Sequence, residues 1–384
     1  MPEPLRVRRL GEADADSIAE FIRAAAWDPD ATPDSAREML RTAAADNPFT
    51  PGEGPPTVGV FMGTRLVGYV STIPTRFWNG KEYAAAHWLK GWWVLEEYRN
   101  SPIGFLLLKE MLKQVGLVAS MPAALLPRRL SEALGMRDLG AVCDYVAPLH
   151  PARILRKLDF ARLEHLKGLP AVLSLAVRAL RTPPFVYAAG ALITLGLAAV
   201  RLPSAFAGRR LTAELRERLP GEAALDRLWS CAQRALSSSA TRSGAYLRWR
   251  YERGPRGHYR FAAVWRGDEL VGLAVLAHPQ RLADPRIAGL AIGSVVDLVL
   301  DPDCPAALPR VLAVARRWGR AANYDALLFT ASRRTLKGPL LRAGYIQAPG
   351  NLHLLLRDPG AEHGLSTDLG AWMVTRGDAW GDHL

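Results

Sequence analysis

The 384-residue chain is too long for one ordinary hydrophobic core and suits two domains of typical size. With 49% hydrophobic and 22% charged residues it is not a disordered chain, and three widely spaced cysteines form neither a disulfide framework nor a zinc pattern. The net charge of +12 points to an anionic cofactor, an anionic membrane face or RNA; no aromatic–basic signature supports nucleic acid, and drift toward arginine is the bland alternative.

Residues 5–10 alternate as a short strand, and Asp14 and Asp16 open a helix with acidic groups in its first turn. Segments 58–62 and 66–73 form a hairpin about Gly63-Thr64. Residues 88–95 make a third strand with almost no alternation, expected to be buried on both faces. A helix over 102–115, a strand at 117–120, a helix over 127–134 and a closing strand at 143–149 follow. The first residues lack the apolar run of a signal peptide, and the sparse cysteines suit a reducing cytoplasm as the expected home, with the inner membrane face as a second place of work.

Residues 151–210 break the pattern. From 182 to 200 there is no charged side chain, and Arg181 and Arg201 bracket the run. A second apolar stretch, 169–177, precedes Pro183-Pro184. Two readings stand nearly level: a helical hairpin over 169–200 lying on an anionic membrane surface, and a buried linker, with burial slightly ahead. The second half then restores the earlier order: strand 211–215, helix 222–236, and a hairpin over 260–276 turning at Gly267-Asp268. Strand 293–300, helix 306–321, strand 325–330, helix 334–343 and strand 351–357 complete it.

That order reflects an internal repeat. Pro48 pairs with Pro255, Gly68 with Gly272, Val94-Leu95 with Val299-Leu300 and Gly135 with Gly344, each pair 204–209 residues apart. A spacing this steady argues for duplication of one α/β domain. The expected partition is 1–150 and 211–358 for the two copies, 151–210 for the linker and 359–384 for an appendix.

The chemistry-bearing segment follows the third strand. It runs Val94-Leu95-Glu96-Glu97-Tyr98-Arg99-Asn100-Ser101-Pro102-Ile103-Gly104 and on through Leu107-Leu108. A strand ending in an arginine turn and a small-residue helix start can cradle phosphate, because a helix N-terminus offers unpaired N–H groups and a positive dipole end. The segment resembles motif A of the GNAT superfamily of acyl-CoA-dependent N-acyltransferases, V-x-P-x-Y-R-G-x-G-I-G-x-x-L-L. Val94, Tyr98, Arg99, Ile103, Gly104, Leu107 and Leu108 match it, and the Leu134-Gly135-Met136 stretch falls in family order. The resemblance covers residues 5–149 well and 211–357 more weakly.

The resemblance implies a mixed, mostly antiparallel α/β fold, with tandem GNAT-like domains forming an intramolecular pseudo-dimer. It implies acetyl-CoA or another acyl-CoA as co-substrate, without a metal, held by Val94, Arg99, Asn100, Ser101, Ile103 and Gly104. It also implies N-acyl transfer to a primary amine on a small metabolite, amino sugar or peptide-like acceptor. A non-catalytic scaffold and an aminoacyl-tRNA-dependent transferase are the alternatives. Asn100 and Pro102 replace two glycines of the loop, and Ser131 stands where the family has its tyrosine acid. In the second copy the loop reads Asp301-Pro302-Asp303-Cys304-Pro305, unsuited to an anion. Candidate acid–base groups are His87 on the third strand, Asp297 on its counterpart and Tyr145 on the closing strand. Packing roles compete for all three, and for Trp88, Trp92 and Trp93 as pocket walls.

Overall fold

The computed structural model describes residues 5–45, 47–50, 54–157, 183–206, 208–253, 259–278 and 289–378. The elements run β1 (Leu5–Arg9), α1 (Ala15–Ala24), α2 (Pro33–Ala45), β2 (Thr57–Met62), β3 (Arg65–Trp78), β4 (Tyr83–Val94), α3 (Ile103–Gln114), β5 (Val118–Ser120), α4 (Leu125–Ala133) and β6 (Arg137–Ala141). Next come β7 (Cys143–Pro148), α5 (Pro151–Lys157), α6 (Pro183–Phe206), β8 (Thr212–Arg216), α7 (Glu222–Gln233), β9 (Ser238–Ala240) and α8 (Gly244–Arg248). The chain continues with β10 (Tyr259–Arg266), β11 (Glu269–Ala277), β12 (Ile292–Leu300), α9 (Ala307–Ala321), β13 (Ala326–Ala331), α10 (Lys337–Arg342), β14 (Ile346–Ala348), β15 (His353–Arg357) and β16 (Trp372–Met373). Two mixed, mostly antiparallel sheets result, as the fold class expected.

The chain forms two compact units. One comprises 1–142, 235–257 and 350–374; the other comprises 143–234, 258–349 and 375–384. In the first unit the sheet order is β1-β2-β3-β4-β5-β15-β6, and in the second it is β14-β7-β13-β12-β11-β10-β8. The closing strands are therefore exchanged. Strand β7, expected to finish the first half, pairs with β13 and β14, while β15, expected to finish the second, lies between β5 and β6. Alternation sets which face of a strand is buried but not which sheet receives it. The compact units thus cut across the linear partition at 150, 210 and 358.

Within the first unit, α1 contributes Ile18, Phe21 and Ile22 to the core, α3 contributes Ile103, Leu107 and Met111, and the strands contribute Val58, Val60, Val67 and Val70. The repeat has a steric cause. A Cβ on Gly68 would stand 2.8 Å from both Ile103 and Leu107 of α3, and one on Gly272 would stand 3.1–3.2 Å from Val311 and Ala307 of α9. In each copy helix and hairpin approach closely, leaving no room for a side chain at Gly68 and little at Gly272. The tips also match, with Gly63 at φ +58° and Gly267 at φ +59° in the left-handed region.

Two expectations change. Strand β4 is not buried on both faces: its last residues alternate, and Trp93 is 36% exposed. In the apolar segment, 169–182 lies outside the described residues. The part that is described, α6, is an exposed helix rather than a buried linker, with Leu192 and Leu195 each about two-thirds accessible.

Candidate functional site

Strand β4 pairs with β3 along most of its length, but with β5 only at His87↔Val118 and Trp88↔Ala119. From Leu89 to Val94 its β5 side has no strand partner among the described residues, so the two parallel strands part into a cleft. In that stretch the pairing with β3 slips. Trp93 faces Tyr69 and Lys90 faces Ser71, leaving Gly91 and Trp92 together opposite Val70. Gly91 takes φ +64°, the left-handed turn that a two-on-one bulge of this kind uses. The bulge re-aims the local peptide groups, and an N–H turned into a cleft is a donor for a ligand oxygen.

Beyond β4 the chain makes one 3-10 turn over Glu96–Tyr98 and enters α3 with Pro102 as its N-cap. Pro102 has no N–H, but its carbonyl accepts from the Leu106 N–H at 3.0 Å. The Ser101 hydroxyl donates to the Tyr98 carbonyl at 2.6 Å and accepts a long 3.4 Å bond from the Ile103 N–H. The Gly104 and Phe105 N–H groups have no partner among the described residues. They stand at the positive end of a three-turn helix, where an anion is favoured. A Cβ on Gly104 would meet only Leu130, Val94 and Trp92, at 3.7–3.9 Å, so the protein itself tolerates a side chain there.

Val94, Arg99, Asn100, Ser101, Ile103 and Gly104 are thus brought together on one turn. Arg99 and Asn100 are exposed, and the Arg99 guanidinium lies over the Trp93 ring, 5.3 Å from its centre. Trp93 also meets Trp27 edge-on at 5.8 Å, giving a partly exposed aromatic surface beside the bulge. Trp88, by contrast, is fully buried against Phe77. The counterpart turn in the second unit is anionic and internally satisfied. Asp301 accepts from the Asp303 N–H at 3.0 Å, and Asp303 pairs with Arg234 at 3.4 Å.

The three acid–base candidates fall in different places. His87 lies on β4 in the first unit, whereas Asp297 on β12 and Tyr145 on β7 belong to the second. The His87 Nδ1 is 3.2 Å from the Thr72 hydroxyl, and burial lowers the imidazole pKa from 6.5 to about 4. It is neutral at pH 7 but too weak a base to take a proton efficiently from an ammonium group. Asp297 is buried, as expected, and accepts from the Thr375 hydroxyl at 3.2 Å. Tyr145 is 3% exposed, and burial, followed by the nearby Cys143, raises its pKa. Ser131 is fully buried, with its hydroxyl turned into the protein.

His87 carries a pH signature. Its folded pKa lies below its ordinary value, so the unfolded chain takes up the proton first as pH falls. Stability is therefore full above pH 6.5 and declines as the pH drops toward about 4, by up to about 3 kcal/mol. Urea melts at about pH 7 and about pH 4.5 are expected to show a larger loss for wild type than for His87→Gln. An equal loss would mean that the imidazole is not held neutral.

Two groups in the first unit escaped the sequence reading. Tyr69, packed beside Gly91, is pushed up to about 12 by burial and so keeps its phenolic proton. His353 sits at the start of β15, its N–H bonded to the Pro122 carbonyl just past β5. Its Nδ1 meets Asp138 at 2.9 Å and its Nε2 meets Arg128 at 2.7 Å, an imidazole held by a carboxylate on one side and a guanidinium on the other.

No protein-family model matches the sequence, and no curated protein matches it. Solved structures do match in fold. A probable N-acyltransferase from Enterococcus faecalis aligns over 95% of this chain and 74% of its own, with a TM-score of 0.55 and 11% identity. Saccharomyces cerevisiae N-myristoyltransferase with bound myristoyl-CoA aligns over 93% and 84%, at 0.56 and 14%. A GCN5-related N-acetyltransferase from Kribbella flavida aligns over 94% and 73%, at 0.54 and 15%. The parted parallel strands, the glycine bulge and the helix start after it thus stand in a chain whose two-unit fold resembles that of these solved acyltransferases.

Proposed function

We propose that the first unit binds an acyl-CoA and that the protein transfers its acyl group to a primary amine, with acetyl-CoA as the simplest donor. The observation that carries this is the open β4 edge from Leu89 to Val94, bulged at Gly91 and running directly to the α3 N-terminus. The site fits the donor in two respects. The Gly104 and Phe105 N–H groups suit a pyrophosphate, and an unpaired strand edge suits the amides of a pantetheine arm. Likeness to acyltransferases of known structure supports the same reading. In the second unit, Asp301 and Asp303 stand where the phosphates would lie, so one site per chain is the expected stoichiometry.

In the reaction the acceptor nitrogen attacks the thioester carbonyl carbon, forming the C–N bond. The carbonyl oxygen gains negative charge, which N–H groups at the bulge stabilise. Collapse breaks the C–S bond; the thiolate leaves, and the amine's proton ultimately passes to it. The aromatic surface of Trp27 and Trp93 suits the apolar part of a metabolite, amino sugar or peptide-like acceptor. A thioester-cleavage assay with acetyl- and longer acyl-CoA donors against a panel of amines tests the reading. Amine-dependent release of CoA is expected. If calorimetry detects no binding of any CoA, the proposal fails at its first step.

A further inference from the structure

The second unit contains a site of another kind. Helix α6 is apolar on nearly every side. Among its described side chains only Val186 and Gly190 are buried, whereas Phe185, Tyr187, Leu192, Leu195 and Leu202 are each more than half exposed. The helix is long and apolar enough to cross a membrane by length and composition, yet it is fixed to its own unit at both ends. Near its start, Gly190 lies so close to α5 that a Cβ would come within 2.6 Å of Ala152. Near its end, the Arg201 guanidinium donates to the Ala343 and Gly344 carbonyls at 3.3 and 3.4 Å. A helix pinned along one seam cannot leave the protein to span a bilayer, but it can lie in the bilayer's surface.

At the foot of this helix is a cavity of about 460 Å³ between α6, β8 and α9. Five arginines line it: Arg201, Arg310, Arg316, Arg317 and Arg320, with no carboxylate among them. Arg310 donates to the Leu211 carbonyl, and its Nε is buried without a partner. Arg316 donates to the Ala343 carbonyl at 3.1 Å. Arg317 and Arg320 are exposed, with no hydrogen-bond or ion-pair partner among the described residues. Beside Arg201 and Arg316 the buried Tyr345 hydroxyl has no hydrogen-bond partner among the described residues. Burial, and then Arg316 and Arg320, lower the Arg201 pKa to about 10. The rest of the lining includes Ala198 and Leu202 of the apolar helix. A ligand that fits both walls carries an anionic oxygen cluster on an apolar stem.

We propose that this cavity receives the phosphate of an anionic phospholipid while the exposed face of α6 lies among the acyl chains of the same leaflet. Guanidinium forks match phosphate oxygens in pairs, and basic side chains are drawn to anionic leaflets. The proposal does not depend on the acyl-transfer reading, because its site and its readout involve neither CoA nor turnover.

Flotation with vesicles of phosphatidylcholine alone, and with phosphatidylglycerol added, tests it on the full chain. Wild type is expected to float with the anionic vesicles and to remain below with the neutral ones. The variants Leu192→Glu/Leu195→Glu and Arg317→Glu/Arg320→Glu change only exposed positions, and each is expected to reduce flotation at least about tenfold. Their thermal melts guard against misfolding, and high salt applied to wild type gives the arginine result without any substitution. Four outcomes overturn the proposal: wild type failing to float; both variants floating like wild type; the arginine variant and high salt having no effect; or a soluble dimer forming through the leucine face instead. A soluble-phosphate arm separates the sources. If glycerol phosphate raises the melting temperature of wild type but not of the arginine variant, and no vesicle binds, the cavity serves a free phosphate ester and the lipid assignment falls.

Discussion

Gly104→Asp is expected to weaken CoA binding about 100-fold while leaving the protein at least as stable as before. The residue is second in α3, where the Gly104 and Phe105 N–H groups have no partner among the described residues. An aspartate at that position is good for the helix. Acidic groups near an N-terminus contribute about 0.3–1 kcal/mol, and replacing a helical glycine recovers part of its backbone entropy cost. The neighbours at 3.7–3.9 Å leave room for the added Cβ. The same carboxylate would stand where the pyrophosphate is proposed to lie, and like charges about 4 Å apart near a protein surface cost up to about 4 kcal/mol before screening. Calorimetry with CoA and a thermal melt on one preparation separate the two effects. A variant that melts normally and binds CoA as tightly as wild type would remove α3 from the site. Asn100→Asp, one turn away on the exposed loop, is expected to have a smaller effect of the same sign.

Gly91→Val is expected to lower turnover about 100- to 1,000-fold with only a few-fold change in CoA affinity. Gly91 holds φ +64°, and a Cβ there would stand 3.2 Å from the Tyr69 ring. A β-branched residue resists that conformation, so the strand should revert toward regular pairing and withdraw the donor proposed to meet the developing oxyanion. Strain alone must be excluded, and Gly267→Val provides the control. That position has nearly the same left-handed φ, at a hairpin tip with nothing within 4 Å. Both substitutions should cost about 1–2 kcal/mol of stability, and only the first should affect kcat. Equal loss of turnover in both would show a general effect of destabilisation, and the bulge would then have no special part in the chemistry.

The duplication was visible in the sequence because steric demand leaves residues that spacing can detect. Gly68 and Gly272 recur since each lies under a helix, and Gly63 and Gly267 recur since each turns a hairpin tip. The turn from Val94 to Gly104 was legible as a strand-to-helix connection for a similar reason, because Pro102 marks where a helix can begin. The exchange of β7 and β15 left no such trace. Both are short, largely apolar strands, and nothing in their alternation distinguishes one sheet edge from the other. That silence placed Tyr145 with the wrong sheet and kept His353 from being considered beside Asp138 and Arg128. Exposure of β4 was missed because residues 88–95 show almost no alternation of polar and apolar side chains, yet Trp93 lies at a cleft wall where the flanking strand turns away. Asp297 was expected to be buried and is, but a buried carboxylate in sequence cannot reveal that a threonine seventy-eight positions later donates to it.

The exchanged strands also bear on how the chain is made. Strand β6 pairs only with β15 among the described residues, and β5 meets β4 at just two positions. Both are completed by residues 353–357, which are translated more than two hundred positions after them. Until then the nascent first sheet carries two open edges, an invitation to pair with a neighbouring polysome product. Contacts spanning more than two hundred positions also slow the search for the native topology. Closure of the first sheet is thus a late event, in which a strand translated far downstream completes a sheet begun by β1 to β6.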